Sequence, residues 1–315
     1  MNKPFPDLAE LRAGGKRLLS RVLTRIETHA DARETAGFLD QVCCQPSGHV
    51  LGLTGPPGVG KSTLTDALIK EFRFRGKSVA VLAIDPSSSL TGGALLGDRT
   101  RLKTDPDDDH VFVRSMAARD RLGGLSDHSV AVVTVLRAVY DIVIVETVGI
   151  GQSEGDLKQA VDTVVLCIQP GSGDSLQFMK AGIMELPDIV AVTKADMGAS
   201  ARRAASDVSG ALSLSGSGDR QVPVCLVSSQ TGEGMTDLLP HIDRHAGYLH
   251  GRQLISKLRA EQHAAWFTDM VRTQYGTVGL RIAEGEKSHF AEKSKRTPFS
   301  SFVEFSMMMQ KRLAP

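Results

Sequence analysis

The segment VLGLTGPPGVGKSTLTDALI, Val50 to Ile69, decides how the rest of the chain is read. It begins short and apolar. It then crowds Gly55, Gly58 and Gly60 into six residues and opens a helical pattern with Lys61, Ser62 and Thr63 in the first turn. Glycine lets the backbone bend so that its N–H groups converge, and a helix amino end adds partial positive charge at the same point. Gly55-x4-Gly60-Lys61-Ser62 is the phosphate-loop pattern, in the strand–loop–helix setting that the pattern requires. The spacing predicts a cradle for nucleotide phosphates made by Gly55, Gly58, Val59, Gly60, Lys61, Ser62 and Thr63. In such a cradle the lysine reaches the β- and γ-phosphates and the serine hydroxyl holds Mg²⁺. A glycine-rich tight turn without a ligand is the plain alternative, and the flanking strand and helix speak against it.

Outward from this segment the same rhythm repeats. Apolar runs occur at 50–54, 79–85, 142–147, 163–168, 188–193 and 222–228. Most are apolar at nearly every position, the mark of strands buried on both faces in a parallel sheet. Helical patterns at about 62–75, 127–139, 174–186, 199–213 and 234–249 fall between and after them. The expectation is an α/β fold of the P-loop NTPase kind, with a mainly parallel central sheet flanked by helices. Before it, residues 8 to about 42 carry Leu11, Leu18, Leu19, Val22, Leu23 and Ile26 at helical spacing, a helical extension closed by Gln45-Pro46-Ser47-Gly48. After it, Leu254 opens one long helix or a helical hairpin, and 283–315 shows no readable pattern.

Composition narrows the class. Of 315 residues, 41% are hydrophobic and 23% charged, enough apolar material for a core. Lys and Arg number 37 against 36 Asp and Glu, so no overall charge suggests nucleic acid or a membrane surface as partner. Cys43, Cys44, Cys167 and Cys225 show no metal-ligand spacing and read as free buried thiols. The start lacks a signal-peptide run, and no stretch reaches the length of a membrane span. A cytoplasmic protein is expected.

Four further motifs follow the phosphate loop in order. Asp85 ends the run VAVLAID, where a carboxylate can hold Mg²⁺ or a water. Asp98 lies in the glycine-rich stretch GGALLGDRTR, a candidate switch loop near the metal. Glu146 ends IVIVE, and Glu146-x-x-Gly149 has the spacing of a second switch, with the Gly149 N–H facing the γ-phosphate. Thr193-Lys194-Ala195-Asp196 follows a buried run. Asp196 can accept hydrogen bonds from guanine N1–H and N2–H₂, a donor pair that adenine lacks. Thr193 stands where this motif usually has Asn, and offers a hydroxyl to tie neighbouring loops. Ser228 and Ser229, in VSSQTGEG, occupy the place of a loop beside the base. Gln152 is separated from Gly149 by Ile150 and Gly151, so no water-positioning residue is assigned.

The stretches GPPGVGKST, AIDPSSSLTGGALLGDRTR, VIVETVGIGQSE, PGSGDSLQFMKAGI and TKAD closely resemble the MeaB/ArgK-type G proteins. These are methylmalonyl-CoA-mutase-associated GTPases, formerly labelled lysine/arginine/ornithine transport ATPases. The likeness spans about 10–275. It implies a homodimeric, Mg²⁺-dependent GTPase divided into a helical extension (1–46), a G domain (47–249) and a helical dimerisation arm with tail (250–315). It also implies a chaperone of an adenosylcobalamin-dependent acyl-CoA mutase, coupling GTP binding and hydrolysis to cofactor loading and protection. Carried over by motif, Lys61, Asp85, Glu146 and Gly149 are the catalytic candidates, and Ser62, Asp85, Asp98 and Glu146 the metal candidates. Gly173, Asp174, Gln177 and Lys180 match a mobile loop that couples nucleotide state to the mutase. There Ser175, Phe178 and Ala181 depart from the family's usual GDELQGIKKGI, which leaves methylmalonyl-CoA mutase and a related acyl-CoA mutase both open. A nickel-inserting GTPase would want clustered histidines, and a small-molecule kinase would lack the guanine reader. A nucleotide-gated scaffold with incidental hydrolysis is the third alternative.

Overall fold

The computed structural model describes residues 5–85, 107–117, 128–147, 157–171, 185–214, 221–285 and 287–313, with positions 102, 104, 105 and 125. The chain forms two compact units. One comprises 1–48, 127–140 and 253–315; the other comprises 49–126 and 141–252.

The second unit carries a seven-stranded sheet of order β3-β2-β4-β1-β5-β6-β7. Its strands are β1 (His49–Thr54), β2 (Val79–Asp85), β3 (Val111–Ala117), β4 (Ile142–Glu146), β5 (Thr163–Ile168), β6 (Ile189–Val192) and β7 (Val224–Leu226). All neighbouring pairs run parallel. The pleat explains the unbroken apolar runs. Val165 and Cys167 of β5 join one buried cluster, whereas Leu166 and Ile168 join another. Ile189 and Ala191 of β6 divide from Val190 and Val192 in the same way. Each of these two strands feeds two cores, so its positions are apolar throughout. The first core is closed by Leu64, Leu68 and Phe72 of one helix and Leu238, Leu239 and Ile242 of another. The second is closed by Val208 of a third.

The chain leaves β1 for β2 and β3 on one side, returns to β4 beside β1, and then continues through β5, β6 and β7 on the other side. Ligands of open α/β sheets bind at the carboxyl ends of strands where the order reverses, here the end of β1.

Strand β3 was not expected from the sequence. It is an edge strand paired only with β2, and its burial falls off along Val113, Arg114 and Ser115. A half-exposed edge tolerates polar residues and so carries no continuous apolar run.

The first unit is helical. It contains α1 (Leu8–Ala13), α2 (Gly15–Thr28), α3 (Arg33–Cys43) and α5 (Ser129–Val139), the label α4 belonging to the helix after β1. Asp7 and Glu10 form a reciprocal capping box at α1. The expected long carboxyl-terminal helix spans Leu254–Gly285 and breaks at Gly276, where φ is 60°. The unreadable tail forms two more helices, Lys287–Arg296 and Pro298–Leu313. An aromatic cluster joins these helices: Trp266 lies 4.7 Å from Phe299, and Phe305 packs edge-on against Phe267, Tyr275 and Phe290. Asp40 of α3 accepts the backbone N–H groups of Phe299 and Ser300 at 3.2 and 3.0 Å, capping the last helix from outside it. Burial nonetheless raises the Asp40 carboxyl above its ordinary range.

Cys43, Cys167 and Cys225 are free and buried, but Cys44 is exposed, contrary to its reading as a buried thiol. No helix among the described residues is long and apolar enough to cross a membrane.

Candidate functional site

The loop between β1 and α4 (Lys61–Phe74) bends as its glycines predict. Gly55, Gly58 and Gly60 have φ of 141°, 75° and 101°. At Gly55 the requirement is also one of space, because a Cβ would meet the Cys167 carbonyl oxygen at 2.2 Å. Gly60 is the N-cap of α4, so the helix amino end opens into the loop. Lys61 is buried and its Nζ donates to the carbonyls of Gly55 (2.7 Å) and Pro56 (3.1 Å). Beneath the loop, burial pushes the Cys167 thiol up to about 12, so it stays uncharged beside the ammonium.

Glu146 ends β4 in register with Leu53 of β1 and Ala83 of β2. It is buried and accepts two hydroxyls: Ser62 Oγ at 2.6 Å and Thr65 Oγ1 at 2.9 Å. Thr65 is a site residue that motif reading missed. It lies three positions past Ser62, on the same helix face, and that spacing could have shown it. These hard oxygen donors at the mouth of a phosphate loop fit Mg²⁺, which binds through one or two carboxylates or hydroxyls together with phosphate oxygens. Among the described residues no group of three or more His, Cys, Asp or Glu is placed to hold a metal ion. Asp85 is the last residue of β2, opposite Ala117 in register. Asp98, Gly149, Gly173, Asp174, Gln177 and Lys180 lie outside the described residues.

The second half of the site follows β6. Thr193 is buried and its Oγ1 donates to the phosphate-loop carbonyl of Val59 at 2.7 Å, with the Ile168 carbonyl at 3.1 Å. The hydroxyl thus ties the two loops. Lys194 adopts φ 55°, a left-handed conformation uncommon outside glycine. Its Nζ reaches Gln169 Oε1 at 2.6 Å and the Gly58 carbonyl at 3.3 Å, drawing the same loops together. Gln169, another residue that motif reading missed, carries no motif of its own. Asp196 accepts the Ser228 hydroxyl on Oδ1 at 2.6 Å. The Ala195 N–H donates to Val227 and the Ser228 N–H to Glu233, which fixes the turn that holds both side chains. Ser229 follows half-buried, and Thr63 is exposed in the first turn of α4.

The family model described as methylmalonyl Co-A mutase-associated GTPase MeaB matches residues 19–278. The chain belongs to the MeaB family. A Pyrococcus horikoshii protein named as a GTPase is 37% identical over 302 residues, covering 92% of each chain. The mouse mitochondrial methylmalonic aciduria type A homolog is 33% identical over 277 residues, covering 82% of this chain and 67% of its own. Among solved structures, an LAO/AO transport system kinase superposes with TM-score 0.68 at 24% identity, covering 96% of both chains, a likeness of fold. As a MeaB-family protein the chain is a GTPase: it binds guanine nucleotide and hydrolyses GTP to GDP and phosphate.

Proposed function

We propose that this GTPase is Mg²⁺-dependent and serves as a chaperone of an adenosylcobalamin-dependent acyl-CoA mutase, methylmalonyl-CoA mutase or a relative. The observation that carries the nucleotide part is the double tie between the phosphate loop and the base reader. Thr193 and Lys194 both reach loop carbonyls, which supports a reading in which one connected piece of chain holds triphosphate and base. In this reading loop N–H groups cradle the phosphates and Lys61 offsets charge that develops at the γ-phosphate. Glu146 orients the Ser62 and Thr65 hydroxyls, the first of which would ligate the metal. When bound, Mg²⁺ would supply charge neutralisation for the phosphates. Asp196, steadied by Ser228, takes the guanine N–H pair on its carboxylate.

Support for the mutase is the family description and the name of the mouse relative. A partner that orders a missing group accelerates other GTPases by about 10³–10⁵. Steady-state phosphate release with and without a saturating cognate mutase tests the reading. Stimulation of at least tenfold is expected. Equal turnover in both, together with no capture of the mutase in either the GDP or the GTP-analogue state, contradicts it.

A further inference from the structure

The helix Met235–Gly251, which follows β7, carries a polar stripe beside its buried face. His241, Arg244, His245 and Tyr248 recur at helical spacing, next to the buried Leu238, Leu239, Ile242 and Leu249. With Asp188, Ile189, Pro223 and Gln221 they line a cavity of about 520 Å³, a size that suits a small metabolite. It lies at the amino ends of β6 and β7. The guanine reader follows the carboxyl ends of the same strands, so a four-residue strand, about 13 Å, separates the two places.

His245 Nδ1 and His49 Nε2 meet the Thr163 hydroxyl from two sides at 2.7 and 2.8 Å. The other His245 nitrogen faces Asp188 Oδ1 at 3.4 Å, and Asp188 Oδ2 accepts the Val164 N–H at 2.9 Å. The rim differs. Arg244 is exposed, and among the described residues it meets no carboxylate; Nη1 donates to His241 Nδ1 at 3.3 Å. That contact makes His241 Nδ1 an acceptor and places the ring proton on Nε2. A guanidinium carries five N–H donors, and the rim adds the imidazole N–H and the Gln221 amide. Donors therefore dominate the rim of the cavity, and Ile189 and Pro223 supply apolar lining.

We propose that this cavity is a second ligand site, which takes a small organic anion with a compact apolar body. Arg244 and His241 hold its carboxylate or phosphate, and Ile189 and Pro223 pack against the body. The geometry excludes overlap with the nucleotide, because the two sites open at opposite ends of the sheet.

Calorimetric titration of the full chain, saturated with GDP to occupy the phosphate loop, tests this. The probes are phenyl phosphate, benzoate and uncharged benzyl alcohol. At least one anion should bind saturably, at least tenfold more tightly than benzyl alcohol, because a charge-assisted pair is worth about a factor of ten or more. Arg244→Gln should weaken that anion about tenfold and Arg244→Lys less, with GDP affinity unchanged in both. The proposal is overturned if neither anion saturates, if benzyl alcohol binds as well, or if Arg244→Gln binds as the parent does. Loss of GDP binding in the same sample would instead count against the nucleotide site, so the two failures are distinct.

Discussion

At the scale of single residues, Thr193 ties the loop after β6 to the phosphate loop. The motif usually has Asn there, and the sequence shows only that a hydroxyl replaces an amide. In the structure the Thr193 Oγ1 donates to the Val59 carbonyl at 2.7 Å. Thr193→Val keeps the shape and removes the donor. A buried carbonyl losing its partner costs about 1–3 kcal/mol, so GDP affinity should fall about tenfold by calorimetry, with Thr193→Asn restoring most of it. Parent-like affinity in Thr193→Val would show that the tie is not used. Legibility at this scale followed motif strength. Gly55, Lys61, Ser62, Glu146, Thr193 and Asp196 all carry recognisable spacing. Thr65 is legible only through its helical spacing from Ser62, and Gln169 not at all, because a lone amide acquires meaning only from the partner it meets in three dimensions.

At the scale of elements, strands buried on both faces were the most legible, because the pleat demands apolar residues at every position. Edge strand β3 was not, because one exposed side relaxes that demand. The carboxyl-terminal helices were hidden for a related reason. Lys287–Arg296 is almost entirely polar, with Phe290 its one buried aromatic, and Pro298–Leu313 buries an aromatic stripe that only neighbouring helices complete. Phe305 is fully buried among three aromatic rings. Phe305→Ala should therefore cost about 3–5 kcal/mol. The chain has one tryptophan, Trp266, in the same cluster, so its fluorescence reports this unit during urea unfolding. An unchanged fluorescence midpoint would show that the cluster contributes little.

At the scale of the whole molecule, two compact units set two different sensitivities. The helical unit encloses His263, whose Nε2 meets Arg137 at 3.1 Å and whose Nδ1 meets the Lys295 carbonyl at 3.1 Å. Burial, then the Arg137 and Arg259 charges, push its pKa down to about 4. The unfolded chain takes up this proton near pH 6.5, the folded chain only near 4. The stabilisation is thus complete above pH 6.5, falls as pH drops from 6.5 to 4, and is gone below. The loss amounts to about 3 kcal/mol. Asp40, whose carboxyl is raised, works in the opposite sense at the acid end and offsets part of it. Unfolding by Trp266 fluorescence at pH 7.5, 5.5 and 4.5 should show the decline in the parent and a flatter profile in His263→Gln. Parallel profiles would remove His263 as the cause.

The sheet unit answers to nucleotide, and the central claim concerns how it reads one. Titration of magnesium-supplied protein with GDP and with ADP, for the parent and for Asp196→Ala, tests that claim most directly. Two hydrogen bonds from guanine to a carboxylate, at about 1.5 kcal/mol each, predict a GDP preference of about 10²-fold in the parent that Asp196→Ala abolishes. Equal affinity for ADP in the parent, or an undiminished preference in Asp196→Ala, would contradict it.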